Sequence, residues 1–218
     1  MSTLLSSISI GFHNFPIFVI VFTLPILGIQ LLRYKRLNFM RISLNYCLLL
    51  YGLCLFALVF LPLPDPEVAA TLHTHYIQLI PFHFISDIIK ESPLNIADPH
   101  TYLPAIFADA VLQYIFNIVM AIPFGMFLTY YFGCSRKKVI FYTFLLTCLI
   151  EFGQLTGLFF LYKGSYRFCD VDDLIANTLG GYLGYRIAGV VERYLPAIKS
   201  FDLPLAIPSR HTNKESRA

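Results

Sequence analysis

Long apolar runs dominate this sequence, and they limit the folds that are open to it. A helix needs about 20 apolar residues to cross the hydrocarbon core of a bilayer. The hydrophobic fraction of 57% and the charged fraction of 13% also depart from those of ordinary soluble domains. The sequence therefore predicts an all-α, polytopic transmembrane bundle with about five spanning helices, at residues 10–32, 42–63, 109–132, 139–161 and 171–194.

The positions of Lys and Arg predict the orientation of this bundle. Basic residues cluster at 33–41, at 136–138 and from 186 to the end, whereas few occur between the other runs. Loops on the cytoplasmic side of a membrane carry an excess of Lys and Arg. Five crossings with these clusters inside place the N-terminus outside and the C-terminus in the cytoplasm.

The chain is predicted to form one transmembrane domain over residues 1–200, followed by a basic cytoplasmic tail at 201–218. Its largest connection, residues 64–108, is interrupted by Pro and contains four of the six His. Amphipathic stretches within it are too short to span a bilayer and are expected to lie partly in the membrane interface.

Two classes of function are disfavoured by the sequence. The basic residues form short runs between apolar segments, without the aromatic interleaving of a nucleic-acid-binding stripe. The His residues of the large connection lack ligands at regular spacing, so no metal site is predicted. No cofactor is identified from the sequence either.

Three of the apolar runs carry polar side chains at helical spacing. Residues three or four apart lie on one face of a helix. At a rise of about 1.5 Å per residue, the polar residues on each run reach depths of roughly 10 to 15 Å below the predicted outer boundary. The three sets are Asp109, Gln113 and Asn117; Thr147, Glu151 and Gln154; and Asp170, Asp173 and Asn177.

We expect these stripes to face one another around a polar cavity that opens to the outer side. Ionisable groups in a membrane usually face a bundle interior or a wet cavity. Glu151 and Asp173 are the candidates for acid or base chemistry, with Arg167 as the counter-charge for an anionic group. The remaining candidates for ligand binding are Gln154, Asn177, Asn117 and Asp170.

Each of these residues also has a structural alternative. Asp170 stands where a helix N-cap is expected, and the neighbouring acidic residues favour the positive end of the helix dipole. Glu151 could be a buried, hydrogen-bonded carboxyl, and Arg167 could pair with an Asp. Glycines spaced as GxxxG, Gly180 with Gly184 and Gly153 with Gly157, predict close packing of the fourth and fifth helices.

Four segments resemble the VanZ-like family of bacterial membrane proteins. They are QLIPF at 78–82, NIVMAIPFG at 117–125, IEFGQ at 150–154 and RFCDVDDLIANTLGGYLGY at 167–185, and the similarity covers about residues 45–190. Gln78 stands where the family usually has Asn, and Phe124 where it usually has Leu. The resemblance implies a polytopic protein of the bacterial cytoplasmic membrane. The founding member of the family is associated with low-level resistance to teicoplanin, a glycopeptide, and no settled mechanism can be carried over.

Three hypotheses of function remain open at this stage. The first is a protein of the cell envelope whose cavity binds or modifies a lipid head group or a lipid-linked wall intermediate, with or without catalysis. The second is a small transporter or flippase subunit in which Glu151 relays protons; five spans then require a homo-oligomer or a partner protein. The third is a structural membrane component without a ligand.

Overall fold

The structure, a computed structural model, describes residues 2–203. It is all-α apart from four two-residue strands and two short 3-10 turns among these residues. The predicted tail at 201–218 lies outside the described residues from position 204 onward. The elements are α1 (Ser2–Tyr34), β1 (Leu37–Asn38), α2 (Phe39–Phe60), α3 (Pro66–Thr71), β2 (Ile77–Gln78), α4 (His83–Glu91), α5 (Tyr102–Ile106), α6 (Asp109–Tyr130), α7 (Arg136–Leu155), α8 (Gly157–Phe160), β3 (Cys169–Asp170), α9 (Val171–Val191) and β4 (Asp202–Leu203).

Four helices within residues 2–203 are long and apolar enough to cross a membrane: α1, α2, α6 and α7. Their exposed surfaces carry many large apolar side chains, as a lipid-facing surface requires. The fifth predicted span corresponds to α9, which has a similar length but is not one of the four. Asp172, Asp173, Asn177 and Arg186 reduce its apolar character.

The central contact of the fold joins α6 to α9, and glycines make it possible. A Cβ added at Gly180 would meet the carbonyl oxygen of Ile118, and one added at Gly184 would meet that of Ile122. A Cβ at Gly125 would in turn meet the main chain of Gly181. The two backbones therefore touch, which is the close approach that small residues permit between membrane helices.

This arrangement corrects the expected role of the glycine pairs. Gly180 and Gly184 face α6, and the contact of α9 with α7 is made instead by Gly181 against the side chain of Thr143. Gly153 packs against the rings of Phe60 and Phe159. The spacing predicted a close approach, but periodicity alone does not identify the partner helix.

Helix α7 has a polar buried face and is shorter than predicted. Thr143, Thr147, Glu151 and Gln154 are all buried along it. The predicted span extended to residue 161, but α7 ends at Leu155. The chain then turns through left-handed backbone conformations from Gly157 (φ 64°) to Phe160 (φ 69°), which cannot continue a right-handed helix.

The connections are held by short strand pairs. Strand β1 pairs antiparallel with β4, so the α1–α2 connection contacts the chain after α9. Strand β2 pairs parallel with β3, with Ile77 opposite Cys169. The second pair fixes the large connection against the start of α9, where the polar residues gather.

The glycine contact can be tested with two substitutions in α9. A Cβ at Gly184 would collide with the main chain of α6, whereas nothing lies within 4 Å of a Cβ at Gly189. We expect Gly184→Ala to lower the free energy of unfolding by about 1–3 kcal/mol, the usual cost of overpacking. Gly189→Ala should leave it unchanged or raise it by up to about 1 kcal/mol, because Ala favours a helix over Gly.

Thermal unfolding of the purified full-length protein in detergent measures both changes. The same loss of stability in the two variants would contradict a backbone contact at Gly184.

Candidate functional site

Asp170 begins α9 as its N-cap. Its backbone is extended and its carboxylate accepts a hydrogen bond from the Asp172 N–H at 2.8 Å. A short polar side chain at this position satisfies one of the free N–H groups of the first turn. The capping alternative for Asp170 therefore matches the geometry, and it fixes where the following carboxylates lie.

Asp172 joins α9 to the large connection. One carboxylate oxygen accepts the Phe82 N–H at 2.6 Å and the other accepts the Phe84 N–H at 2.9 Å. Helix α4 has no side-chain cap of its own, since its N-cap position is Phe82 in a left-handed conformation (φ 65°). The buried carboxylate of Asp172 thus takes the place of a cap and holds the start of α4 against α9.

Glu151 joins α7 to the same point. Its side chain is only 4% exposed, and Oε2 accepts the Asp170 N–H at 3.0 Å. On the other side, the Asn117 amide of α6 donates to the Asp173 carboxylate of α9. Residues from all three predicted stripes therefore meet around the first turn of α9.

Two of the predicted site residues have a different role. Arg167 Nη2 donates to the Leu61 carbonyl at 2.7 Å, and Gln154 Nε2 is 3.5 Å from the Val59 carbonyl. The hydroxyl of Tyr166 donates to the Phe60 carbonyl between them at 2.9 Å. The last carbonyls of a helix have no partner within it, and a cation there is favoured by the helix dipole. These side chains therefore cap the C-terminal end of α2.

A cavity of about 340 Å³ lies between α4, α6 and the start of α9. We call it the acidic cavity, because six of its lining residues are Asp or Glu and none is Lys or Arg. Phe84 and Tyr114 stack in its wall with ring centroids 3.9 Å apart. The lining residues are Phe84, Asp87, Glu91, Asp109, Ala110, Gln113, Tyr114, Asp170, Asp172 and Asp173.

The carboxyls influence one another at the edge of the cavity. Burial raises the pKa of Asp170, and the nearby charges of Asp172 and Asp87 act in the same direction, against the hydrogen bond from the Asp172 N–H. Burial and the neighbouring carboxyls also raise the pKa of the Cys169 thiol to about 11. His83 Nδ1 lies 2.9 Å from the Asp87 carboxylate. A cation entering the cavity would relieve the repulsion between these groups.

The structure places the predicted residues in three groups. Asp170 and Asp173 line the acidic cavity, whereas Glu151 and Asn117 hydrogen-bond to residues that line it. Asn177 is buried on α9, one turn beyond Asp173. Gln154 and Arg167 are at the end of α2.

Within residues 2–203, no three His, Cys, Asp or Glu side chains are arranged to hold a metal ion.

The sequence prediction of the site omitted the part of the cavity wall that α4 contributes. Asp87 and Glu91 come from α4, which had not been assigned to the site, whereas Asp109 and Gln113 of α6 belong to a predicted polar stripe and do line the cavity. The signal for α4 was present, since His83, Asp87 and Glu91 follow one another at a spacing of four residues. The sequence analysis treated Asp172 as one more acidic residue at the start of the helix. Nothing in the neighbouring sequence indicated its hydrogen bonds to the distant α4.

The anchoring of α4 predicts a local effect of Asp172→Asn. An amide offers one acceptor oxygen, so one of the Phe82 and Phe84 N–H groups loses its partner, at a cost of about 1–3 kcal/mol. Hydrogen exchange of the α4 amides should accelerate while that of the α6–α9 contact stays unchanged. Asp109→Asn is the matched control, because Asp109 lines the same cavity but is exposed. Equal exchange in the two variants would contradict the anchor.

The comparisons with known proteins place the chain in a family. The sequence model of the VanZ/LLP1 family matches residues 48–192, about two thirds of the chain, from within α2 to the end of α9. No curated protein and no solved structure matches it. The family and the four apolar helices fit a membrane protein. The chain belongs to the VanZ/LLP1 family.

Proposed function

We propose that this protein is a multi-pass protein of the bacterial cytoplasmic membrane whose acidic cavity binds the ammonium group of a lipid head group or of a lipid-linked wall intermediate. The observation that carries the proposal is the lining of the acidic cavity, with six carboxyl side chains and no Lys or Arg. Carboxylates in a partly buried site favour a cation, and hydrogen bonds between ammonium and carboxylate are among the stronger ones in proteins.

The aromatic wall supports the same ligand class. Phe84 and Tyr114 form a stacked pair in the wall of the cavity, beside the carboxyls of Asp172 and Asp173. Aromatic faces attract ammonium groups, and cages of aromatic and acidic side chains are a common way to bind them. A cavity of about 340 Å³ has room for a head group and excludes the whole lipid.

The surroundings of the cavity suit a ligand that is part of a membrane. Helix α4 turns Asp87 and Glu91 toward the cavity, whereas the side chains of Phe82, Ile85 and Ile89 are exposed. Exposed apolar residues on one face and charged residues on the other are typical of a helix in the membrane interface. A head group would thus reach the carboxylates while its acyl chains stay in lipid.

The distribution of charge supports an outward-facing cavity. Asp109, the first residue of α6, lines the acidic cavity, and Tyr130, the last, lines another cavity together with Arg33 and Arg41. The 22 residues of α6 span about 33 Å, a full hydrocarbon core. Since basic residues mark the cytoplasmic side, the acidic end is proposed to face outward.

The proposed ligand is a cation, whereas the sequence suggested an anionic group. The hypothesis of an anionic group depended on Arg167, whose guanidinium is bonded to the Leu61 carbonyl and does not line the cavity. Glu151 is likewise bonded to the Asp170 main chain, which gives it a positioning role at the start of α9. We therefore propose binding and assign no catalytic step.

The ammonium preference can be tested with two lipids that differ in one charge. Phosphatidylethanolamine carries an ammonium group, and its N-acetyl derivative has the same acyl chains without that charge. We expect the full-length protein to retain phosphatidylethanolamine preferentially in native mass spectrometry. Asp87→Asn with Glu91→Gln should weaken this retention by about tenfold, because each removes a charge-assisted hydrogen bond.

Asp65→Asn is the matched control, since Asp65 is exposed and does not line the cavity. Equal retention of the two lipids, or equal loss in the control variant, would contradict the proposal. Teicoplanin sensitivity of cells that express each variant is the second readout: a wall intermediate as ligand predicts a change only with the cavity variants.

A further inference from the structure

Arg41 has an unusual environment for a charged side chain. It is 6% exposed, near the start of α2, and its Nε atom is buried without a hydrogen-bond partner among the described residues. Its guanidinium lies 4.2 Å from the centroid of the Tyr34 ring and 5.6 Å from that of Tyr131. The two rings attract the cation but accept no strong hydrogen bond, so the donors at its edge stay available.

Among the side chains that the structure describes, no carboxylate forms an ion pair with Arg41. Those side chains form an ion pair between His83 and Asp87 at the opposite end of α6, and none of their carboxylates lies within 4.0 Å of Arg41. A buried charge without a partner is costly. An anion that binds from outside the chain would lower this cost.

Arg41 lines a cavity of about 640 Å³, which we call the basic cavity. Arg33 also lines it and is exposed, so the cavity has two guanidinium groups, one at depth and one at the surface. Glu192 is the acidic residue of the lining, and it leaves a net charge of one positive unit. The hydroxyl-bearing rings of Tyr130 and Tyr131 complete the polar part of the wall.

Arg33 also stands at the border of two apolar grooves. One has a volume of about 570 Å³ and includes Ile26 and Leu49; the other has about 940 Å³ and includes Leu128 and Leu149. Apolar grooves that meet at a guanidinium match the two parts of a phospholipid, its acyl chains and its phosphate. Guanidinium groups bind phosphate oxygens with paired hydrogen bonds.

We infer that the basic cavity is an anion site, which holds a phosphate group between Arg41 and Arg33 at the end of the bundle opposite the acidic cavity. The grooves beside Arg33 favour a phospholipid as the source of the phosphate, and free phosphate is the alternative source. This site does not depend on the acidic cavity or on its ligand.

The test compares ligands that carry a phosphate group with one that does not. The full-length protein in neutral detergent is titrated with inorganic phosphate, and its thermal unfolding temperature is followed, since a ligand of the folded state raises it. In parallel, native mass spectrometry measures the retention of phosphatidylglycerol against diacylglycerol with the same acyl chains. Neither lipid carries an ammonium group for the acidic cavity.

Three variants locate the effect. Arg33→Gln removes the exposed charge, and Arg41→Lys keeps the buried charge but loses the planar fork of donors; each should weaken binding by about tenfold. Glu192→Gln should strengthen binding, because it removes the negative charge from the lining. Lys137→Gln is the control, since Lys137 is exposed at the start of α7 and does not line the basic cavity.

Each outcome decides the inference. Preferential retention of phosphatidylglycerol that falls in the two Arg variants supports a lipid phosphate. Stabilisation by inorganic phosphate with the same pattern, and without lipid preference, supports a free phosphate. If neither ligand binds, or if Lys137→Gln has the same effect as the Arg variants, the inference is overturned.

Discussion

The contact between the backbones of α6 and α9 is the constraint on which the candidate site depends. Glycines at positions 125, 180 and 184 let the two helices touch, because a Cβ at any of them would meet the main chain of the other helix. The helices start at the same end of the bundle, so this contact brings the first turn of α6 beside the first turn of α9. Asn117 and Asp173 then meet, and the acidic side chains of both helix starts line one cavity. Glu151 adds α7 to this arrangement through the main chain of Asp170.

The result is a bundle with opposite charges at its two ends. Carboxylates from α4, α6 and α9 collect around the start of α9, whereas Arg33 and Arg41 lie near the end of α6. The lining of each cavity has a net charge, which is negative in the acidic cavity and positive in the basic cavity. A charged face prefers ligands of opposite charge, and clustered Lys and Arg mark the cytoplasmic side of membrane proteins. The two proposed ligands, an ammonium group and a phosphate group, follow from this single arrangement.

Local periodicity predicted most of the helices and part of the site. The apolar runs correspond to α1, α2, α6, α7 and α9, and the spacing of Thr147, Glu151 and Gln154 correctly placed them on one buried face. The same periodicity could not predict contacts between segments that are distant in the sequence. The bonds from Asp172 to the start of α4 and from Arg167 to the end of α2 join residues about 90 and 106 positions apart. Helical spacing specifies which residues share a face, but it contains no information about the partner across the bundle. For the same reason Gly180 and Gly184 were expected to pack on α7, whereas they pack on α6.

The sidedness of the acidic cavity is the central claim of this account, and thiol labelling in intact cells tests it most directly. The five native cysteines are replaced, and single cysteines are introduced by Glu91→Cys at the acidic cavity and by Lys137→Cys at the start of α7. Both positions are exposed in the structure. The account predicts that a membrane-impermeant maleimide modifies the Glu91→Cys protein in intact cells and the Lys137→Cys protein only after the membrane is permeabilised. Labelling of Lys137→Cys from outside, with Glu91→Cys protected until permeabilisation, would contradict it.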